Sequence, residues 1–225
     1  MGVTRKALNG HANYRVVVQL TELYHSLRLV NHRGPEVSDA SKRLPLRRVV
    51  TGFDEAGNSV VIQDGDCDFI LDKSPAWIVT DLWMTSDDPA ADASKEEACT
   101  NDISLMPPSG GSVFRVVQFA PDKDYMGKWD ADAAFASVGH HTNDADNRAT
   151  DKVAGKTGRP KGMHKTDTVD YAIVMSGEIW LVMDEGETLL KSGDILIQRA
   201  TNHGWSNRSD RPALVAFALL DQPQK

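Results

Sequence analysis

From Arg47 onward, short runs rich in Val, Ile, Phe and Trp alternate with clusters of Gly, Asp, Asn, Ser and Pro, which is the pattern of β-structure. It predicts strands over residues 48–52, 59–63, 76–84, 112–120, 168–176, 178–183, 187–191, 194–198, 204–207 and 213–220. Turn signals fall between them at 55–58, 64–65, 107–111, 184–186, 192–193 and 210–212. Many short strands at close spacing favour a closed barrel or a two-sheet jelly roll, so the expected fold class is all-β. No period of 20–50 residues repeats, which excludes solenoids and propellers.

Two long segments, 85–106 and 121–163, break this rhythm. The second contains a weakly helical stretch over 130–138, followed by Gly139, His140 and His141. It reads as a lid over the barrel mouth or as a solvated excursion.

Residues 1–44 differ from the rest, carrying Arg5, Lys6, Arg15, Arg28, Arg33, Lys42 and Arg43 against Glu22, Glu36 and Asp39. The span 14–30 fits a strand or a helix, and Pro35 ends either one. It reads as an appended arm or a segment exchanged in a homodimer, with an organelle-targeting peptide disfavoured by its acidic residues. The expected division is an arm over 1–44 and a barrel domain over 45–225. No apolar run follows Arg5 and Lys6 as a secretory signal would require, so a cytoplasmic location is the default expectation.

Composition narrows the function classes. The chain has 225 residues, 40% of them hydrophobic and 25% charged, enough for one core in an ordinary globular domain. No apolar stretch approaches the length that spans a bilayer, so no membrane partner is expected. The net charge of −7 repels phosphate on average, and no helix-turn-helix pattern is visible, so no nucleic-acid partner is expected. Cys67 and Cys99 form no CxxC pair and suggest neither a disulfide framework nor a thiolate zinc site.

The chemistry concentrates in two stretches, GMHKTDTVDYAIVMSG over 162–177 and GDILIQRATNHGWSN over 193–207. His164, Thr166 and Asp170 stand at even intervals, so on an extended segment their side chains leave one face. Polar groups on the inner face of a barrel are costly unless a metal, a ligand or one another satisfies them. Gly177 and Gly193 read as turn residues that permit positive φ.

Here the sequence resembles the cupin superfamily. Its first motif, G-x5-H-x-H-x3,4-E-x6-G, falls on His164, Thr166, Asp170 and Gly177; its second opens at Gly193 and continues through His203 to Asn207. Thr166 replaces a histidine, Asp170 replaces the glutamate, Arg199 stands where proline is common, and the second motif is one residue shorter before His203. With RRVVTG, SVFRVV and MHKTDTVDY, the chain looks like a bacterial and fungal cupin subgroup.

The resemblance implies a double-stranded β-helix holding one divalent metal (Fe, Mn, Ni or Zn) on His164, Asp170 and His203. It implies a small-molecule substrate, an organic acid, phenol or enol that chelates the ion, and a dioxygenase, decarboxylase or isomerase reaction. Catalytic roles fall to Thr166, Asp170 and the segment's His141; substrate contacts fall to Tyr171, Gln198, Arg199 and Trp205. The alternative is a metal-free cupin that binds an apolar molecule or uses acid-base groups alone, and a homodimer is expected in either case.

Overall fold

The computed structural model describes residues 42–86, 97, 99–127, 130, 133 and 162–222. The chain divides into two units, 1–36 and 37–225, and every described residue belongs to the second. The predicted arm through residue 41, most of the 121–163 segment with its 130–138 helix, and His140 and His141 lie outside the described residues.

The described residues form eleven strands: β1 Arg47–Phe53, β2 Ser59–Asp66, β3 Ile70–Lys73, β4 Trp77–Thr85, β5 Ser112–Phe119, β6 Thr168–Ser176, β7 Glu178–Met183, β8 Glu187–Lys191, β9 Ile195–Arg199, β10 His203–Ser206 and β11 Ala213–Asp221. They build a six-stranded sheet in the order β3-β4-β5-β11-β6-β9, a three-stranded sheet β10-β7-β8, and a hairpin β1-β2. All pairings are antiparallel. The core joins the two larger sheets: Ala172 and Val174 of β6, with Val215, Phe217 and Leu219 of β11, meet Ile179 of β7, Leu190 of β8 and Trp205 of β10. This is the jelly-roll architecture that the strand spacing predicts.

Strict alternation sets which side chains face inward. Along β6, Thr168, Asp170, Ala172 and Val174 are buried, whereas Tyr171, Ile173 and Met175 are exposed. The opposite face of the large sheet is partly covered by the segment entering β1. There Leu44 and Leu46 pack with Leu82 against Val116, Leu214 and Ala216. The Gln118 side chain fixes that segment by donating to the Lys42 carbonyl and accepting from the Leu44 amide.

Gly177 joins β6 to β7 with φ +75°, and a Cβ there would stand 2.8 Å from the Pro212 carbonyl oxygen. Only glycine fits that turn without strain. Two elements escape the sequence pattern. Strand β3 is four residues long and half charged, so it shows no alternation. Helix α1, Asp122–Tyr125, is a single turn held by tertiary bonds. Its Asp122 carboxylate accepts from the Asn207 amide, the Ser206 hydroxyl and the Tyr125 hydroxyl.

Candidate active site

A cavity of about 120 Å³ lies inside the barrel. Its wall is mostly apolar, with Trp77, Val79, Val117, Phe119, Trp205, Phe217 and Leu219, and it gathers His164, His203, Asp170, Thr166, Arg115 and Tyr125 as its polar groups. At about 30 Å³ per water, it holds a few waters or a small organic molecule.

His164 precedes β6 and His203 begins β10, and an isolated antiparallel bridge joins them. Their ring centroids are 4.5 Å apart. Each ring is oriented by the carbonyl two residues upstream: His164 Nδ1 lies 3.0 Å from the Gly162 oxygen and His203 Nδ1 lies 2.9 Å from the Thr201 oxygen. A carbonyl only accepts, so Nδ1 carries the proton in both and Nε2 is the basic nitrogen. That is the orientation in which histidines commonly bind metal. Burial pushes the His203 pKa below its ordinary value and so favours the neutral ring, partly offset by the hydrogen bond to the Thr201 carbonyl.

Asp170 projects from β6 into the same cavity. Burial raises its pKa from 3.8 to about 6, against the opposing pull of a Thr168 hydrogen bond and the Arg115 charge. Its Oδ1 is buried with no hydrogen-bond partner. The Thr166 and Thr168 hydroxyls, four and two residues before the carboxylate, are hydrogen-bonded to each other at 2.8 Å.

The structure brings His164, Thr166, Asp170, His203 and Trp205 to one cavity. It does not bring Tyr171 or Arg199 there. Both are exposed and lie on the outward side of the alternation, Tyr171 with Ile173 and Met175, Arg199 with Ile195 and Ile197. Gln198 is buried but does not line the cavity, because its amide donates to the Thr201 carbonyl and hydroxyl and holds the turn into β10. All three thus lie off this cavity.

Two wall residues were missed. Tyr125 reaches the cavity from α1, an element with no sequence pattern. Arg115 had a visible signal, a lone charge inside the apolar strand SVFRVVQF. It is 5% exposed and paired with Asp81, which is also buried. Their 2.9 Å approach from Nε to Oδ1 is an ionic contact without hydrogen-bond alignment, while Nη2 bonds the other carboxylate oxygen at 3.2 Å.

The donor chemistry suits a divalent ion in part. Two neutral imidazoles and a buried carboxylate with an unpartnered oxygen share the cavity. Among the described residues, however, no three His, Cys, Asp or Glu side chains are close enough to hold a metal as they stand.

No protein-family model matches the chain. It is 54% identical over 55 residues to a phomopsin biosynthesis cluster protein C' of Diaporthe leptostromiformis, covering 23% of this chain and 29% of that protein. It is 38% identical over 63 residues to a cupin-domain-containing oxidoreductase of Hypocrea virens, covering 26% and 32%. The chain thus spans about a third of the length of these relatives. A solved cupin 2 conserved barrel domain protein from Salinispora arenicola aligns over 49% of this chain and 63% of its own, with 15% identity and a TM-score of 0.30. The jelly-roll strands, with the motif residues on their inner face, accompany a local similarity to cupin-domain-containing proteins that is confined to about a quarter of the chain. Among the described residues, no helix is long and apolar enough to cross a membrane.

Proposed function

We propose that the barrel cavity is the active site of a cupin-type enzyme acting on a small organic acid, phenol or enol, with one divalent metal (Fe, Mn, Ni or Zn) held by His164, His203 and Asp170. The observation that carries this reading is the matched pair of imidazoles lining the cavity, each with Nδ1 tied to a backbone carbonyl so that Nε2 is the basic nitrogen. A bound ion would supply Lewis acidity and a template for a chelating substrate. The apolar wall excludes water from the substrate body, and the unpartnered Oδ1 of Asp170 is available within it. The description of relatives as cupin-domain-containing oxidoreductases supports redox chemistry such as dioxygenation, while decarboxylation or isomerisation suits the same residues.

Two features favour a second reading, metal-free acid-base chemistry: the ligand trio does not converge among the described residues, and burial lifts the Asp170 pKa to about 6. A carboxyl group with a pKa of about 6 suits proton transfer at physiological pH. Metal analysis of protein purified without chelator separates the two. Near-stoichiometric metal, lost in folded His164→Ala and His203→Ala variants, supports the metalloenzyme. Background metal in wild-type protein that still binds small molecules rejects it and leaves the acid-base reading.

A homodimer belongs to the same proposal. Tyr171, Ile173, Met175, Ile195 and Ile197 are all exposed and form one apolar patch across β6 and β9, a surface that a partner subunit would cover. A monomer by light scattering would count against it.

A further inference from the structure

We propose that Arg115 reads a carboxylate of the substrate, making this end of the cavity an anion subsite beside an apolar pocket. The inference rests on the cavity being the substrate site. Arg115 projects from the middle of β5 and lines the cavity while its side chain is buried. Both Nη2 hydrogens are used, one by Asp81 and one by the Ser104 carbonyl at 2.8 Å. Nε faces Asp81. Nη1 has a single contact, to the Leu105 carbonyl at 3.4 Å, which is long for a hydrogen bond and leaves its second N–H without a partner.

A guanidinium needed only to tie the 104–105 segment and Asp81 to the strand would be served by its two Nη2 bonds. Arg115 also lines the cavity and keeps Nη1 poorly used, and an unpaired buried donor is costly. Asp81 anchors the head from one side and keeps it oriented for a charged, directional bond. Asp170, the carboxylate on the cavity wall, feels the Arg115 charge without bonding to it, since its Oδ1 has no partner. Val117, Phe119, Phe217 and Leu219 line the same space, so the ligand class is a small monocarboxylate with a compact apolar or aromatic body. Arg199, the arginine suggested by the sequence for this role, faces outward.

Calorimetry with benzoate and its neutral isostere benzamide tests the proposal on wild-type protein, on the paired variant Arg115→Met with Asp81→Asn, and on Arg115→Lys. The paired variant removes both buried charges together, and its melting curve checks folding. Wild-type protein is expected to bind benzoate at least about tenfold more tightly than benzamide, a preference that a charge-assisted bond readily supplies. The paired variant is expected to bind the two probes equally, and Arg115→Lys to retain part of the preference. Equal binding by wild-type protein, or a benzoate preference that survives in the paired variant, overturns the role of Arg115 and leaves the cavity as the substrate site. If wild-type protein binds neither probe, the cavity reading fails and takes the proposal with it.

Discussion

The His164 amide donates to the His203 carbonyl at 2.8 Å, and the His203 amide donates back to the His164 carbonyl at 2.9 Å. This reciprocal bridge places the two imidazoles side by side. Each backbone then also orients its own ring, through the Gly162 and Thr201 carbonyls. The geometry of the pair is thus built by main-chain bonds, and a side-chain substitution at one histidine should leave the other in place.

The protonation state of His203 follows from its surroundings. Burial lowers its pKa, so the folded protein refuses a proton that the unfolded chain accepts near pH 6.5. This contribution to stability is present above 6.5 and is lost as pH falls toward the lower folded pKa. In metal-free protein, ring nitrogen NMR should show the Nδ1–H form persisting below pH 6.5. An Nε2–H tautomer, or titration at the ordinary pKa, would contradict the assignment.

Asp170 acts in the opposite direction. Its pKa is raised from 3.8 to about 6, so its contribution is fully present below 3.8 and is lost as pH rises through about 6. At about 1.4 kcal/mol per pH unit, ionising it above pH 7 costs up to about 3 kcal/mol. Asp170→Asn should therefore raise the melting temperature of metal-free protein at pH 7.5, with the gain disappearing by about pH 4. A gain independent of pH would show that the carboxylate is not the cause.

Much of this arrangement was legible in the sequence. Strands β6, β7 and β8 lie where the pattern put them, because inward and outward residues alternate and glycine marks the turn at 177. The even spacing of His164, Thr166 and Asp170 likewise led to one cavity. The same parity argument excludes Tyr171, whose odd position sends it to the outer face. Gln198 and Arg199 stand close to His203 in sequence, yet neighbours on a strand face opposite ways and neither side chain lines the cavity. Tyr125 had no readable signal, since α1 is set by Asp122 bonding across to β10 and Asn207.

Those orientations have a functional consequence. Tyr171→Ser and Arg199→Ser should change small-molecule affinity by less than about twofold, while Trp205→Ala, which strips an aromatic wall, should weaken it at least about tenfold. Fluorescence or calorimetric titration with one common ligand makes the comparison. Loss of affinity on replacing either exposed residue would place part of the binding surface outside the barrel.

Asn207 is expected to be structural. Fully buried, its amide donates to the Phe119 and Arg211 carbonyls, and its oxygen accepts from the Ser209 amide and hydroxyl. Asn207→Ala leaves these buried groups unpaired and should cost about 3 kcal/mol in urea unfolding. A change below about 0.5 kcal/mol would mean that this network contributes little.

The imidazole pair as a metal centre is tested most directly by anomalous diffraction from crystals grown with Zn(II). A single strong peak is expected about 2.0–2.1 Å from Nε2 of both His164 and His203, with the Asp170 carboxylate drawn onto it. Peaks elsewhere, or no peak between the two rings at saturating metal, would contradict it.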